Sequence, residues 1–445
     1  MIQWDVAIVG AGPAGLMAAM RAAERGCQTI LIDKNREPGV KILLSGGTRC
    51  NLTHQTDARG IATAFGRNGR FLHSSLSSFG PQQVVDFFAA EGVPTKVEPG
   101  GKVFPLSDRA SDVRDALLRR VRKSGCTLAM GETVSELVRV PEFSPRPLGA
   151  GQGVRMTEAD LTISPRPKEA GNSERFRLVT SKQSLTARNV VLTTGGQSYP
   201  ACGTTGDGFR FAAALGHRIV APHTALVPIT SHAPWVLELQ GITLTDVRAE
   251  VVDPKIGVSL AASRGSLLFA HFGVTGPVIL DISFAVSGIS EPSSLVVRCD
   301  LLPEISERDF ETQLIERCVV DGKRRAATVL DEWFPHRVGE TLLTLGDVSP
   351  ECPLAELSKA NRQRLVRAVK RLDIPVAGTM GFRKAELTAG GVAVDEVDSR
   401  TMESRLVPGL FFAGEVLDLN GPVGGYNFQA AFSTGWRAGE SVGSK

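Results

Sequence analysis

The sequence predicts an α/β fold: the two ends of the chain build one Rossmann-like domain, and a β-barrel-like domain and a helical subdomain are inserted between them. Three observations carry this. An apolar run at residues 6–9 enters a glycine-rich turn and then a helical pattern, VAIVGAGPAGLMAA at 6–19. A second glycine-rich segment, GLFFAGEVLDLNGPVGGYNFQAAF at 409–432, stands near the other end of the chain. Between them the pattern alternates as short strands from 217 to 300, then takes helical periodicity from 304 to 372.

Taken in order, residues 5–33 read as strand, turn, helix and strand. The helix spans 14–25, Gly26 stops it, and the second strand ends on Asp33. Residues 81–92 and 109–124 read as amphipathic helices. The stretch 141–173 is rich in Pro, Gly, Ser and Arg, lacks periodicity, and reads as an irregular loop or hairpin insertion. Residues 190–194 form a buried strand that runs into Gly195 and Gly196. After Gly390 and Gly391 the residues 392–394 are strand-like, 410–413 is a strand, and 425–439 opens a long helix. The expected domains are 1–200 with 376–445, a β-rich insertion at 201–302, and a helical subdomain at 303–375.

With 445 residues the chain is too long for one ordinary core. Its 42% hydrophobic and 22% charged residues are the balance of a soluble globular protein. A net charge of +3 supplies no whole-chain field for nucleic acid or membrane. The cysteines (27, 50, 126, 202, 299, 318 and 352) are scattered, odd in number and form no CxxC pair. That pattern fits reduced thiols in a cytoplasmic protein and argues against zinc or a disulfide framework. The start of the chain lacks a basic segment before its apolar run, and no run of about 18 apolar residues occurs. The expected partner is therefore a small-molecule substrate, with neither nucleic acid nor membrane.

The turn Gly10-Ala11-Gly12-Pro13-Ala14-Gly15 has the spacing of a dinucleotide fingerprint. Gly10 allows the tight turn, Gly12 lets a pyrophosphate approach the backbone, and Gly15 permits close helix–strand packing. The helix N-terminus then offers free N–H groups to the phosphates. Asp33, about 20 residues further on, sits where a carboxylate accepts from an adenosine ribose, with Lys34 beside it. Residues 41–51 read as an anion-facing loop: Gly46 and Gly47 expose backbone N–H groups, Lys41 and Arg49 add charge, and Ser45 and Asn51 add neutral hydrogen bonds. Thr194 and Gly195 close the next strand. At the far end Gly414-Glu415 follows a strand, and Glu415 suits ribityl hydroxyls. Gly425, Asn427 and Phe428 then begin a helix whose N-terminus suits the pyrimidine side of a flavin ring. Together these residues point to FAD.

Four motifs carry a family resemblance: KILLSGGTRCNLT, TTGGQSYPACGTTGDG at 193–208, ELTAGGVAVDEVDSRTMES at 386–404, and FFAGEVLDLNGPVGGYNFQAAFSTG at 411–435. The chain resembles bacterial NAD(P)/FAD-dependent oxidoreductases of the aminoacetone-oxidase and bile-acid dehydrosteroid reductase-like type. The resemblance implies a discontinuous FAD domain, a β-barrel-like insertion and a helical subdomain. It also implies that Val134 presents its backbone to the adenine. Some members of that family are assigned to reduction of conjugated steroid enones. The family pattern has a third glycine where Thr48 stands; Thr48 either narrows the room beside the cofactor or adds a hydrogen bond there.

Hydride transfer is largely the flavin's own chemistry, so catalytic side chains are hard to single out. No second fingerprint follows a strand, so NADH or NADPH is expected only as a transient electron donor. The catalytic residues are unassigned, with three weak candidates. Cys50, beside Arg49, is either a low-pKa nucleophile or a packed apolar residue. Tyr199 and Tyr426 are either proton donors or anchors of turns. His223, His271 and Arg383 carry no assignment. Residues 361–373, NRQRLVRAVKRLD, form a basic amphipathic helix that reads first as a solvated face and second as an RNA contact. The leading expectation is an FAD-dependent oxidoreductase that reduces an enone C=C or oxidises C–H or C–N through flavin N5. The alternatives are a flavin-dependent RNA-modifying enzyme and a non-catalytic flavin redox sensor.

Overall fold

The fold is that of a computed structural model, which describes residues 2–141 and 174–443. Apart from Pro141, the segment expected as an irregular insertion at 141–173 lies outside the described residues.

The first sheet is built on five parallel strands in the spatial order Thr127–Met130, Thr29–Asp33, Ile2–Val9, Ser184–Leu192 and Leu410–Phe412. Val6, Ala7 and Ile8 are fully buried, as a central parallel strand covered on both faces requires. Ser184–Leu192 serves two neighbours along one edge. Its first half pairs antiparallel with Glu174–Thr180, which continues to Val134–Pro141, and its second half pairs parallel with Leu410–Phe412. The last strand of the sheet therefore comes from the far end of the chain.

Helix Pro13–Glu24 follows the first turn, and helix Tyr426–Ser441 packs on it. Gly435 and Gly439 make that contact close: a Cβ on either would lie 2.3 Å from Ala14 O or 2.5 Å from Ala18 O. Helices Pro81–Ala90 and Ala110–Lys123 bury Val84 and Phe88, and Val113, Leu117 and Val121, at helical spacing.

The second sheet has seven antiparallel strands, ordered Leu372–Pro375, Val296–Asp300, Thr243–Asp253, Val258–Ala270, Gly273–Thr275, Ile229–Thr230 and Gly378–Thr379. Helices Glu307–Val320, Ala326–Leu330, His336–Leu345 and Lys359–Lys370 share its core, with Phe310, Leu314, Val329, Leu342, Leu365 and Val369 packed together with Val297 and Ile374. A two-stranded ribbon, Ile219–Ala225 against Leu387–Val392, takes the chain out to this unit and back.

The strand expected at 392–394 lies earlier, at Leu387–Val392, and residues 394–396 form a short turn of helix. Neighbouring backbone crowds both glycines inside the strand: a Cβ on Gly390 would sit 2.6 Å from Ala221 O, and one on Gly391 2.7 Å from Val416 O. The expected loop at 41–51 begins as a helix, Val40–Leu44. A three-stranded sheet of Thr53–His54, Lys102–Pro105 and Thr95–Glu98 then brings His54 and Lys102 beside the C-terminal segment.

Candidate active site

One cavity of about 410 Å³ runs along the carboxyl ends of the parallel strands, where open α/β sheets bind ligands. At one end stands the first turn. Gly10 takes φ +108°, and a Cβ there would meet Thr193 O at 2.5 Å, so only glycine fits. Thr193 Oγ1 donates to Gly10 O at 2.7 Å and ties the turn to the neighbouring strand. Asp33 accepts from the N–H of Ala11 at 2.6 Å and of Asn35 at 2.7 Å. Burial lifts its carboxyl above the usual range, and those two hydrogen bonds oppose the rise. Beyond Asp33 the wall is Glu132, Thr133 and Val134. Lys34 Nζ is held 2.6 Å from Asp207 Oδ2 and from Thr205 Oγ1.

The middle of the cavity holds a charged pair from opposite ends of the chain. Lys41 Nζ lies 2.5 Å from Glu415 Oε2 and donates to Ser198 Oγ at 2.8 Å. The other Glu415 oxygen accepts from Ser198 Oγ at 2.6 Å and from the Thr388 N–H at 2.9 Å. Gly414 N–H is bonded to Thr434 Oγ1, which fixes the strand-to-turn corner. Asn427 closes a loop by bonding both N–H and C=O of Gly421, and Phe428 follows it on the wall.

The residues present fit an FAD on two counts. Gly12 heads helix Pro13–Glu24 with no side-chain cap, and a Cβ on it would meet nothing within 4 Å. Its backbone and the free N–H groups behind it are open to a pyrophosphate. Asn51 lines the cavity 8% exposed, and its Oδ1 is buried without a hydrogen-bond partner. An unpaired buried polar atom is costly unless something in the cavity pairs with it.

The remaining end is more apolar, with Leu226, Leu387, Pro422 and Val423, joined by Tyr199, Lys384, Glu386 and Gly424. Tyr199 and Leu226 hold the strained left-handed conformation, at φ +55° and +49°. Glu386 is open to the cavity, yet enough protein surrounds it that burial lifts its carboxyl above the usual range; Lys41 and Lys102 oppose the rise. Asp281, on helix Pro277–Ser287 of the second unit, accepts from Val423 N–H at 2.7 Å and so pins this wall. Behind the wall His54 stacks on Tyr426 at 4.7 Å between ring centres, and its Nδ1 lies 3.1 Å from Gly424 O.

Of the residues expected from sequence, Gly10, Gly12, Pro13, Ala14, Asp33, Lys34, Lys41, Ser45, Gly46, Asn51, Val134, Thr194, Gly195, Tyr199, Gly414, Glu415, Gly425, Asn427 and Phe428 line the cavity. Gly15, Gly47, Arg49, Cys50 and Tyr426 do not. Gly15 sits behind the turn, where a Cβ would fall 1.8 Å from Gly10 O. Arg49 turns away to Glu98 at 2.7 Å and stacks over Phe104 at 4.1 Å, so its charge is spent outside the cavity. Burial pushes the Cys50 thiol up to about 12, which keeps it protonated at neutral pH. Thr48 is exposed, with its hydroxyl on Gly47 O. His223, His271 and Arg383 are not on the wall. In the basic helix, Lys370 is held by Asp300, Leu302 O and Ile305 O, Arg371 by Glu307, Arg364 by Asp347, and Arg362 donates to Leu357 O. Sequence reasoning missed Asn35, Glu132, Leu226, Lys384 and Glu386; only Glu386 fell inside a quoted motif, at its first residue.

The family described as HI0933-like protein Rossmann domain matches residues 4–144 and 152–441. The ribosomal RNA dihydrouridine synthase of Escherichia coli (strain K12) is 31% identical over 99% of this chain and 98% of its own length. The 3-dehydro-bile acid delta(4,6)-reductase of Clostridium scindens is 28% identical over 99% of each. A solved structure of 3-ketosteroid delta1-dehydrogenase from Sterolibacterium denitrificans aligns with a TM-score of 0.50 at 14% identity, over 99% of each chain, a likeness of fold. No helix among the described residues is long and apolar enough to cross a membrane. The chain belongs to the HI0933-like Rossmann-domain family and is an FAD-dependent oxidoreductase.

Proposed function

We propose that this enzyme reduces a carbon–carbon double bond conjugated to a carbonyl, in a small hydrophobic substrate. One observation carries the reading: a single cavity is lined by a dinucleotide turn, by the apolar side chains of Leu226, Leu387, Pro422 and Val423, and by Glu386. The two relatives support it. A uridine ring and a dehydro-steroid differ in size and polarity, yet each holds an alkene next to a carbonyl, and both names describe its reduction.

Bound FAD supplies the two-electron hydride chemistry. The chain's residues do the rest. Gly12 and the helix behind it receive the pyrophosphate, and Asp33 with Val134 receives the adenosine end. The Lys41–Glu415 pair would orient the ribityl hydroxyls, and Asn51 would hydrogen-bond the ring; all three residues line the cavity. Leu226, Leu387 and Val423 exclude water from the reacting alkene. NADH or NADPH reaches the site as a transient donor.

A second reading, uridine within RNA, is favoured by the 31% identity to the E. coli enzyme over nearly its whole length. Arg383 and Lys384 are exposed cations, and Lys384 lines the cavity. One experiment separates the two. The holoenzyme is reduced anaerobically with NADH or NADPH and then mixed with 4-androstene-3,17-dione, cyclohex-2-enone or a uridine-containing ribosomal RNA fragment. Reoxidation by the enones carries the first reading. Reoxidation by RNA alone, with binding that weakens steeply with salt, carries the second. Reoxidation by dioxygen only, with every alkene inert, overturns both.

A further inference from the structure

Five carboxylates line the cavity: Asp33, Glu132, Asp207, Glu386 and Glu415. Four are already engaged. Asp33 accepts two backbone N–H groups, Glu132 accepts from Thr180 Oγ1 at 2.5 Å, Asp207 is paired with Lys34, and Glu415 is paired with Lys41. The Glu386 side chain has no hydrogen-bond or ion-pair partner among the described residues. Its backbone is nonetheless fixed: Glu386 N–H donates to Leu226 O at 3.1 Å, and Ser198 Oγ lies 3.5 Å from Glu386 O. The main chain therefore fixes where the side chain departs from the wall, and the carboxyl oxygens, exposed to the cavity, remain free for whatever enters. Its neighbours on that wall are Leu226 and Leu387.

We propose that Glu386 is the acid that delivers the proton in the reduction. This rests on the conjugated-alkene reading above. The carbon β to the carbonyl receives a hydride, with its two electrons, from the hydride donor bound in the cavity. The α carbon receives H⁺ from the Glu386 carboxyl group. The π bond is replaced by two C–H bonds, Glu386 is left as carboxylate, and water returns its proton. NADH or NADPH restores the hydride donor, so electrons and protons balance. The cations that face Glu386 from other elements are Lys41, on helix Val40–Leu44, and Lys102, on strand Lys102–Pro105; Lys384 stands two residues before it. Lys41 is committed to Glu415, which leaves the carboxyl group able to hold a proton beside an apolar wall. Burial favours that protonated form.

The test compares wild type with Glu386→Gln and Glu386→Asp as FAD-loaded holoenzymes. Each is reduced with dithionite and mixed with 4-androstene-3,17-dione, cyclohex-2-enone or the uridine-containing ribosomal RNA fragment. A general acid contributes about 10²–10⁴-fold, so E386Q is expected to slow alkene-dependent reoxidation at least about 100-fold. E386D is expected to recover part of it. Wild-type rate falls as pH rises through the Glu386 titration, and that limb is missing in E386Q. Reoxidation by dioxygen and FAD retention are unchanged, which excludes a merely structural effect. A readout independent of turnover is infrared difference spectroscopy between acidic and neutral pH: a protonated-carboxyl band present in wild type is lost in E386Q. Equal alkene rates with the same pH profile in wild type and E386Q overturn the proposal while leaving the function standing. A wild type that reduces none of these alkenes overturns the function, and this proposal with it.

Discussion

Gly12 and Gly15 stand three residues apart in one turn, and substituting each by Ala separates two roles. In Gly15→Ala the new Cβ lies 1.8 Å from Gly10 O and 2.7 Å from Thr193 Oγ1. Carbon–oxygen contacts settle near about 3.3 Å, so the helix and the turn must part by about 1.5 Å. The obstacle is backbone, which cannot swing aside. Overpacking costs roughly 1–3 kcal/mol and occasionally more, and this case belongs at the upper end. Gly12 is the opposite. Its φ of −76° and ψ of −175° suit any residue, and its Cβ meets nothing within 4 Å. Ala is a poorer N-cap than Gly by about 0.5 kcal/mol, and the stiffer unfolded chain returns about as much. Apo G12A should therefore match the wild type to within about 0.5 kcal/mol. Its methyl group, however, occupies the space a pyrophosphate must enter. FAD affinity should fall at least about 100-fold, or roughly 2.8 kcal/mol at 1.4 kcal/mol per tenfold. Urea unfolding of the apoproteins reads the first quantity, and quenching of FAD fluorescence reads the second. A G12A protein that binds FAD like the wild type, or a G15A protein as stable as the wild type, would refute this account of the turn.

Three further outcomes are expected. Lys370→Met removes a 7% exposed ammonium from Asp300 and two carbonyls, and should lower stability in urea unfolding by about 2–4 kcal/mol; an unchanged midpoint would mean the basic helix is not anchored this way. Asp281 has its folded pKa raised, first by burial, so the stability it contributes is full below its ordinary value of 3.8 and is lost as pH rises through the folded value. In D281N that share of the decline should vanish, and thermal midpoints taken from pH 3.5 upwards should fall less steeply. Thr48 holds φ +70°, a costly conformation for a β-branched residue; T48G should gain about 1 kcal/mol, and a loss of stability would show that the hydroxyl on Gly47 O matters more.

The fingerprint turn was legible because its chemistry is local. Gly10, Gly12 and Asp33 are fixed by a strand, a tight turn and a second strand within one short stretch, and all three line the cavity; the bond from Ala11 N–H to Asp33 is not legible in that spacing. Glu415 was legible for the same reason, as a residue just past a strand end. Its partner was not: the reading of residues 41–51 had Lys41 and Arg49 facing an anion together, whereas Lys41 meets Glu415 and Arg49 meets Glu98. Local spacing cannot show which of two nearby cations turns inward. Glu386 opens the motif at 386–404 but follows Arg383 and Lys384 in a stretch without periodicity, so nothing local marks it as a cavity residue. It reaches the cavity only because Leu387–Val392 pairs with Ile219–Ala225, a contact between distant segments. Gly390 and Gly391 read as preceding a strand at 392–394, yet they lie inside the strand Leu387–Val392, crowded by the backbones of Ala221 and of Val416.

The packing of helix Tyr426–Ser441 on helix Pro13–Glu24 has a consequence for synthesis. A ribosome releases Pro13–Glu24 before the inserted unit and Tyr426–Ser441 after it. Until then Ala14 and Ala18 lack the backbone that Gly435 and Gly439 bring against them, and the parallel sheet lacks Leu410–Phe412. The inserted unit has its own apolar core and can close while the nascent chain is still growing. The domain begun before the insertion is thus completed only after it, and a stop codon that removes helix Tyr426–Ser441 would leave helix Pro13–Glu24 without the surface that covers it.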